Sequence, residues 1–477
     1  MCRRATLALL GICAMAAAQP ARETLAQRRY PRLVIRGAMV VDGSGAPAAG
    51  PRDIVIENNI IASIEPFAAR QPGEADIDAE GKYVLPGLIN AHAHLQDKRG
   101  GIPQPFEYQL KLWLASGITT IRDVGSDTRK ALDLRERSAK GEIAAPRIFI
   151  YPVLGQQNTP EAARTRVREI HAMNADGLKL LGLHREIMQA AEDEAHKAGL
   201  HVAHHAGVEE TNAWDDIRFG TTSIEHFYGI PEAAIDSGIQ HFPPDYNYDN
   251  EATRFRQAGR LWRQANPEKL RKVLEAMVQA KVAWDPTLSV YEANRDLQRA
   301  RTEPWFKDYL SPALEKFFEP NPAYHGSYFD HWTSTDEANW KQNYRIWMAA
   351  LVEFENLGGT IGVGEDAGFM YSVYGFGLIR ELEMQQEAGF STLDVIRHAT
   401  ANNAAILGQE SSLGKVRLGY RADLIVVNGN PLEDLKTLYP TGIEWTIKDG
   451  IPYHGATLMT EVKQMVANER KGTAGTR

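Results

Sequence analysis

The chain has 477 residues, of which 43% are hydrophobic, with 53 lysines and arginines against 61 aspartates and glutamates. This length exceeds one ordinary domain, and the formal charge of -8, with no basic stripe, argues against a nucleic-acid partner. Both cysteines, Cys2 and Cys13, fall at the extreme N-terminus, which excludes disulfides, a thiol nucleophile and cysteine metal ligands from the rest of the chain.

The N-terminus combines a basic start (Met1-Cys-Arg-Arg), an apolar run and a small-residue stretch at Ala16–Ala18. That order predicts a secretory signal peptide over residues 1–18 and an exported protein, periplasmic or secreted. A lipoprotein reading through Cys13 is poorer, because Ile12 is bulky where a small residue is required. No later apolar run is long enough for a transmembrane segment.

Residues 33–47 and 52–65 read as short strands broken by Asp-Gly and Asn-Asn turns, and residues 422–429 and 444–450 repeat that texture. The inference is one small β-sandwich module assembled from residues 28–85 and 408–462, with a larger domain inserted over 86–407. Within the insert, strand-like runs at 117–124, 147–151, 177–181, 200–205, 221–226, 282–284 and 360–364 alternate with helical runs such as 160–170 and 186–195. Together with the strand that ends at His94, they make about eight strand–helix units, the count of an α/β, TIM-like (β/α)8 barrel. An open doubly wound sheet is the alternative, but no Gly-x-Gly-x-x-Gly follows an early strand. From about 245 to 347 the spacing stretches and six of the nine tryptophans appear. An aromatic-rich helical excursion over the barrel mouth is expected there, and a core of its own is as good a reading of those rings as contact with ligand.

The chemistry-bearing residues come in strand order. His92 and His94 are one residue apart on an apolar strand and therefore share a face. Lys179 lies inside Asp-Gly-Leu-Lys-Leu-Leu, His205 ends Val-Ala-His-His, His226 ends Ser-Ile-Glu-His, and Asp366 follows Gly-Val-Gly-Glu. Nitrogen and oxygen groups converging from several strand ends are what a hydrolytic metal site on a barrel requires. His204 and His205 face opposite ways, and position favours His205 as the inward one; His201 falls earlier on the strand, outside the ligand shell. Glu225 is expected on the face opposite His226, in a structural hydrogen bond. A lysine in a buried strand is costly unless neutralised or paired; Lys179 becomes a metal-bridging carboxylate if CO2 carbamylates it, and the bland alternative is an ion pair.

The runs Val84–His94 and Ala115–Gly125, the Glu-His at 225–226, the Asp366-Ala-Gly turn and the tail Ala399–Gly408, Leu413–Val427 and Asn430-Pro-Leu resemble the amidohydrolase superfamily over essentially the whole chain beyond the leader. The likeness is closest to the branch of imidazolonepropionase-like enzymes and prolidase-like metal-dependent dipeptidases. The resemblance implies two divalent metal ions, zinc by default. His92 and His94 would hold the buried ion, carboxylated Lys179 would bridge, His205 and His226 would hold the exposed ion, and Asp366 would touch the buried ion and act as catalytic base. The chain departs from many relatives in carrying Glu365 where they have Thr before the Asp, and Gly207 where some carry a further His.

The expected reaction is hydrolysis of an amide bond in a dipeptide or N-acyl amino acid by metal-activated hydroxide. A lactone or cyclic amide is the alternative substrate, and a non-catalytic binding protein the remote one. Tyr228, Arg122, Tyr291 and Tyr371 are the candidates for holding the small-molecule or dipeptide substrate, through hydrogen bonds to a carboxylate; Arg122 is equally open to a tie with Asp123 or the helical ring. Homo-oligomerisation stays open.

Overall fold

A computed structural model describes residues 25–68, 73, 75–207, 210–236, 251–321 and 331–474. The expected leader at 1–18 and the stretches 245–250 and 322–330 of the excursion lie outside the described residues. Among the described residues no helix is long and apolar enough to cross a membrane.

Eight parallel segments form the centre: Leu88–Ala93, Ile118–Asp123, Arg147–Ile150, Gly177–Leu180, His201–His204, Ser223–Glu225, Ala283–Asp285 and residues 360–364. Each is followed by a helix that covers the ring from outside, from Phe106–Ala115 round to Phe376–Ala388. The strands therefore have no solvent face: every residue of Leu88–Ala93 and Ile118–Asp123 is buried, as expected of parallel strands covered on both sides. Two ladders of three and four strands are joined where Lys179 N–H donates to the Pro152 carbonyl (2.9 Å) and Leu154 N–H to the Lys179 carbonyl (3.0 Å). Trp284 N–H donates to Thr360 (2.9 Å) and Ala91 N–H to Val363 (2.9 Å), which brings the ring back to its first strand.

The eighth segment is short, and a side chain completes its seam with the first. The Asn403 amide nitrogen donates to the carbonyls of Ile89 (2.6 Å) and Val363 (2.8 Å), while its oxygen accepts from Val363 N–H (3.0 Å). Asn403 thus supplies a partner to the Ile89 carbonyl and the Val363 N–H, and a second donor to the Val363 carbonyl that Ala91 already bonds.

The sheet drawn from both ends of the chain has eight strands, seven along one hydrogen-bonded path and Asp76–Asp78 branching from it by pairing with Arg32–Val40. Tyr83–Pro86 stitches it, pairing in parallel with Met39–Val40 on one side and antiparallel with Leu424–Val427 on the other. The sheet rolls until Ile60 bridges Arg421, enclosing Leu33, Ile35, Ile54, Ile56, Leu424, Val426 and Ile447 in a separate core. Beyond it, a helix over Gly455–Ala474, unforeseen from the sequence, packs on Phe106–Ala115 with Lys111 2.8 Å from Glu461.

Between the seventh strand and the long helix Ser334–Asn356, the described residues form five short helical turns, from Leu288–Tyr291 to Pro312–Phe317. Trp262, Trp284, Trp340 and Trp347 are all fully buried, with Trp262 stacked on Trp284 at 5.9 Å. These rings form a core for the excursion. Tyr291, stacked on Trp340 at 5.9 Å, and Phe255 are rings of the excursion that reach the barrel mouth.

Candidate metal centre

His92, His94, Lys179, His205, His226 and Asp366 all line one cavity of about 230 Å³ at the C-terminal ends of the strands. His92 and His94 arrive together by strand alternation. His226 and Asp366 arrive by another route, for both sit just past a strand end with φ of 67° and 44°. Left-handed backbone is uncommon for residues with a Cβ and clusters at functional sites. At His226 it also overturns the expectation that Glu225 faces away. The turn lets both consecutive side chains point inward, Glu225 beneath and His226 above.

The imidazoles form a continuous arc, with ring centroids 5.4 Å apart for His92 and His94, 4.6 Å for His92 and His226, and 4.5 Å for His226 and His205. Asp366 closes the arc, with Oδ1 3.2 Å from His94 Nε2 and 3.9 Å from His92 Nε2, and Oδ2 4.0 Å from His226 Nδ1. Outer partners orient the rings, since His92 Nδ1 lies 2.6 Å from Glu225 and His226 Nδ1 2.7 Å from Thr287. Burial, reinforced by the neighbouring charges, holds His92, His205 and His226 well below the usual imidazole pKa. They are therefore neutral, as a metal ligand must be. Burial opposes ionisation of Asp366, but His92, His94 and Lys179 outweigh it and keep the carboxyl below its ordinary range.

Lys179 is fully enclosed, and its Nζ has no hydrogen-bond partner among the described residues. Burial pulls the ammonium down to about 8 against the attraction of Glu225. An orphaned buried amine, neutral imidazoles and the Asp366 carboxylate beside them make a donor set suited to divalent ions.

The substrate candidates divide. Tyr291 lines the cavity, edge-on to His226 at 5.8 Å. Tyr228 stacks on His205 at 5.1 Å, behind the cavity wall. Tyr371 lies outside this cavity and lines the neighbouring ones. Arg122 is corrected outright. It is fully buried below the histidines with its guanidinium on Glu225, so it cannot meet a substrate at the mouth. Besides Lys179, the described lining carries Arg254, buried and lying over the Phe255 ring at 4.5 Å. It sits in the stretched region, where no motif marks it. His204 bonds Asp216 (2.7 Å) and His201 the Ile406 carbonyl (3.0 Å), both away from the cavity.

Fold and site together define a barrel enzyme of the hydrolytic kind. The chain belongs to the amidohydrolase family, whose model matches residues 83–241 and 348–451, more than half of the sequence. A dihydroorotase of Trichlorobacter lovleyi is 29% identical over 218 residues, 43% of this chain and 49% of the relative. A D-hydantoinase of Streptomyces coelicolor is 35% identical over 124 residues, 24% of this chain and 26% of the relative. The chain thus spans about half the length of the first of these curated relatives and about a quarter of the second. Among solved structures, a Xaa-Pro dipeptidase with bound methionine is similar at a TM-score of 0.64 and 22% identity, covering 89% of this chain and 100% of the other. Ochratoxinase of A. niger gives 0.62 and 17%, covering 90% and 96%. At such identities the likeness is one of fold.

Proposed function

We propose that this chain is a metal-dependent hydrolase cleaving the amide bond of a dipeptide or N-acyl amino acid. The observation that supports it is the convergence of four histidines, Lys179 and Asp366 on one small cavity. His92 and His94 would hold an inner ion and His205 and His226 an outer one, with carboxylated Lys179 between them. Two divalent ions, zinc by default, supply a polarising charge and a nucleophile at neutral pH. Asp366, beside three of the histidines, accepts the proton of the attacking water and passes it to the leaving nitrogen. Arg254 holds the substrate carboxylate by a charge-assisted pair, while Phe255, Val290, Tyr291, Phe369 and Met370 form an apolar wall for its side chain. A cavity of about 230 Å³ is below the roughly 300–1,000 Å³ of drug-sized ligand sites, which favours a substrate no larger than a dipeptide. The expected leader places this activity outside the cytoplasm.

A second reading, cyclic-amide hydrolysis, is favoured by the names of the sequence relatives. Metal content of chelator-free protein, paired with turnover of dipeptides, N-acyl amino acids, cyclic amides and lactones, tests both. Two ions per chain and cleavage of open-chain amides with a free carboxylate support the first reading, with Arg254→Met raising KM about 10–100-fold. Turnover confined to cyclic amides moves the assignment to the second, and no metal with no turnover refutes both.

A further inference from the structure

Beneath the histidines lies an ionic cluster that the proposed reaction does not use. Arg122 Nη2 donates to both oxygens of Glu225 (2.8 and 2.9 Å), Nη1 to Ser223 Oγ (2.9 Å) and Nε to the Ala91 carbonyl. Asp285, at the end of the seventh strand, stands 3.5 Å from the same guanidinium. Arg122, Glu225 and Asp285 are all fully buried, and neither oxygen of Asp285 has a hydrogen-bond partner among the described residues. A buried carboxylate left in that state calls for a counter-charge.

His92 belongs to two sets of groups close enough to chelate an ion. Ligand atoms of His92, His94 and Asp366 lie within 4.8 Å of one another at the mouth; those of His92, Glu225 and Asp285 do so beneath it. The two sets compete for one imidazole, and in this structure the lower set already contains a cation, the guanidinium of Arg122. We propose that Arg122 is a positioning residue that decides which set takes the metal. It fills the lower site permanently, and by fixing Glu225 on His92 Nδ1 (2.6 Å) it commits Nε2 of that ring to the mouth. The proposal rests on the metal-centre reading above.

The test uses the full chain, stripped and titrated with zinc or cobalt(II), with metal per chain, dissociation constant and the cobalt visible spectrum as readouts beside turnover. Arg122→Lys keeps the charge and is expected to keep the wild-type stoichiometry and spectrum. Arg122→Gln is expected to hold metal in the lower, carboxylate-rich site, with a weakened cobalt spectrum and turnover down at least 100-fold. Arg122→Gln combined with Asp285→Asn is expected to lose that ion. An Arg122→Gln protein with zinc affinity within threefold of wild type and an unchanged cobalt spectrum overturns the proposal. Should Arg122→Gln fail to fold, the isosteric Glu225→Gln decides, for zinc is expected to bind about 10–100-fold more weakly and unchanged affinity overturns the idea. A wild-type chain that binds neither metal refutes the centre itself, which is a different result from a centre indifferent to Arg122.

Discussion

Replacing Glu365 by Gln tests how the catalytic aspartate is held. The Glu365 carboxylate is fully buried and accepts four hydrogen bonds. Asn90 Nδ2 (3.0 Å) and Trp113 Nε1 donate to one oxygen; the backbone N–H groups of Gly375 (2.8 Å) and Leu378 (3.0 Å), at the start of helix Phe376–Ala388, donate to the other. Whichever way a glutamine amide is turned, its NH2 faces two of these donors and leaves both unsatisfied. At about 1–3 kcal/mol for each buried donor deprived of its acceptor, the loss is about 2–6 kcal/mol. Burial pushes this carboxyl up to about 8, so equilibrium urea unfolding of chelator-treated protein above that pH, followed by tryptophan emission and compared at equal slope, measures the loss for the ionised acceptor without a metal contribution. Because Glu365 precedes Asp366 and ties the first strand to that helix, turnover of metal-loaded protein should fall as well. A loss of stability under about 1 kcal/mol, or unchanged kcat, would refute the reasoning.

Asp366→Asn should retain metal while kcat drops about 10²–10⁴-fold, the usual contribution of a positioned acid–base group; elemental analysis with steady-state kinetics checks it, and an unchanged rate removes the base from Asp366. Lys179→Ala should lose metal and activity together, and retention of two ions would contradict the bridge. Asn403→Ala strips the Ile89 carbonyl and the Val363 N–H of the partner Asn403 supplies and should cost about 2 kcal/mol. Faster amide exchange at Ala91 and Val363 would localise that damage to the seam; uniform exchange would not.

Much of the site was legible because its residues obey simple rules. His92 and His94 follow the period of two, and the alternating strand–helix texture ordered Lys179, His205, His226 and Asp366 around one mouth. What escaped were the exceptions to those rules. Alternation assigns Glu225 to the outer face, but the left-handed turn at His226 cancels alternation at that step, and nothing in the letters Glu-His announces it. Arg122 sits on an inward position near the end of the second strand, with its guanidinium held on Glu225 beneath the histidines, and depth within a barrel has no sequence period. Arg254 escaped because the excursion carries no repeat against which a cation could be placed. The pairing of Tyr83–Pro86 to strands from both chain ends was not legible, since it is a matter of strand order, which composition does not encode.

The rolled sheet has a consequence for how the chain reaches its native state. Leu424–Val427 pairs directly with Tyr83–Pro86, a contact that closes a loop of more than three hundred residues. Such long-range pairing forms late, because the chain between must be ordered before the two strands can meet. Until residues 424–454 have emerged, the N-terminal strands present an unpaired edge along Tyr83–Pro86, a template for strand addition from other chains. Completion of the small sheet therefore records that the barrel between its halves has folded. Truncation of the C-terminal strands should yield aggregates rather than a soluble barrel.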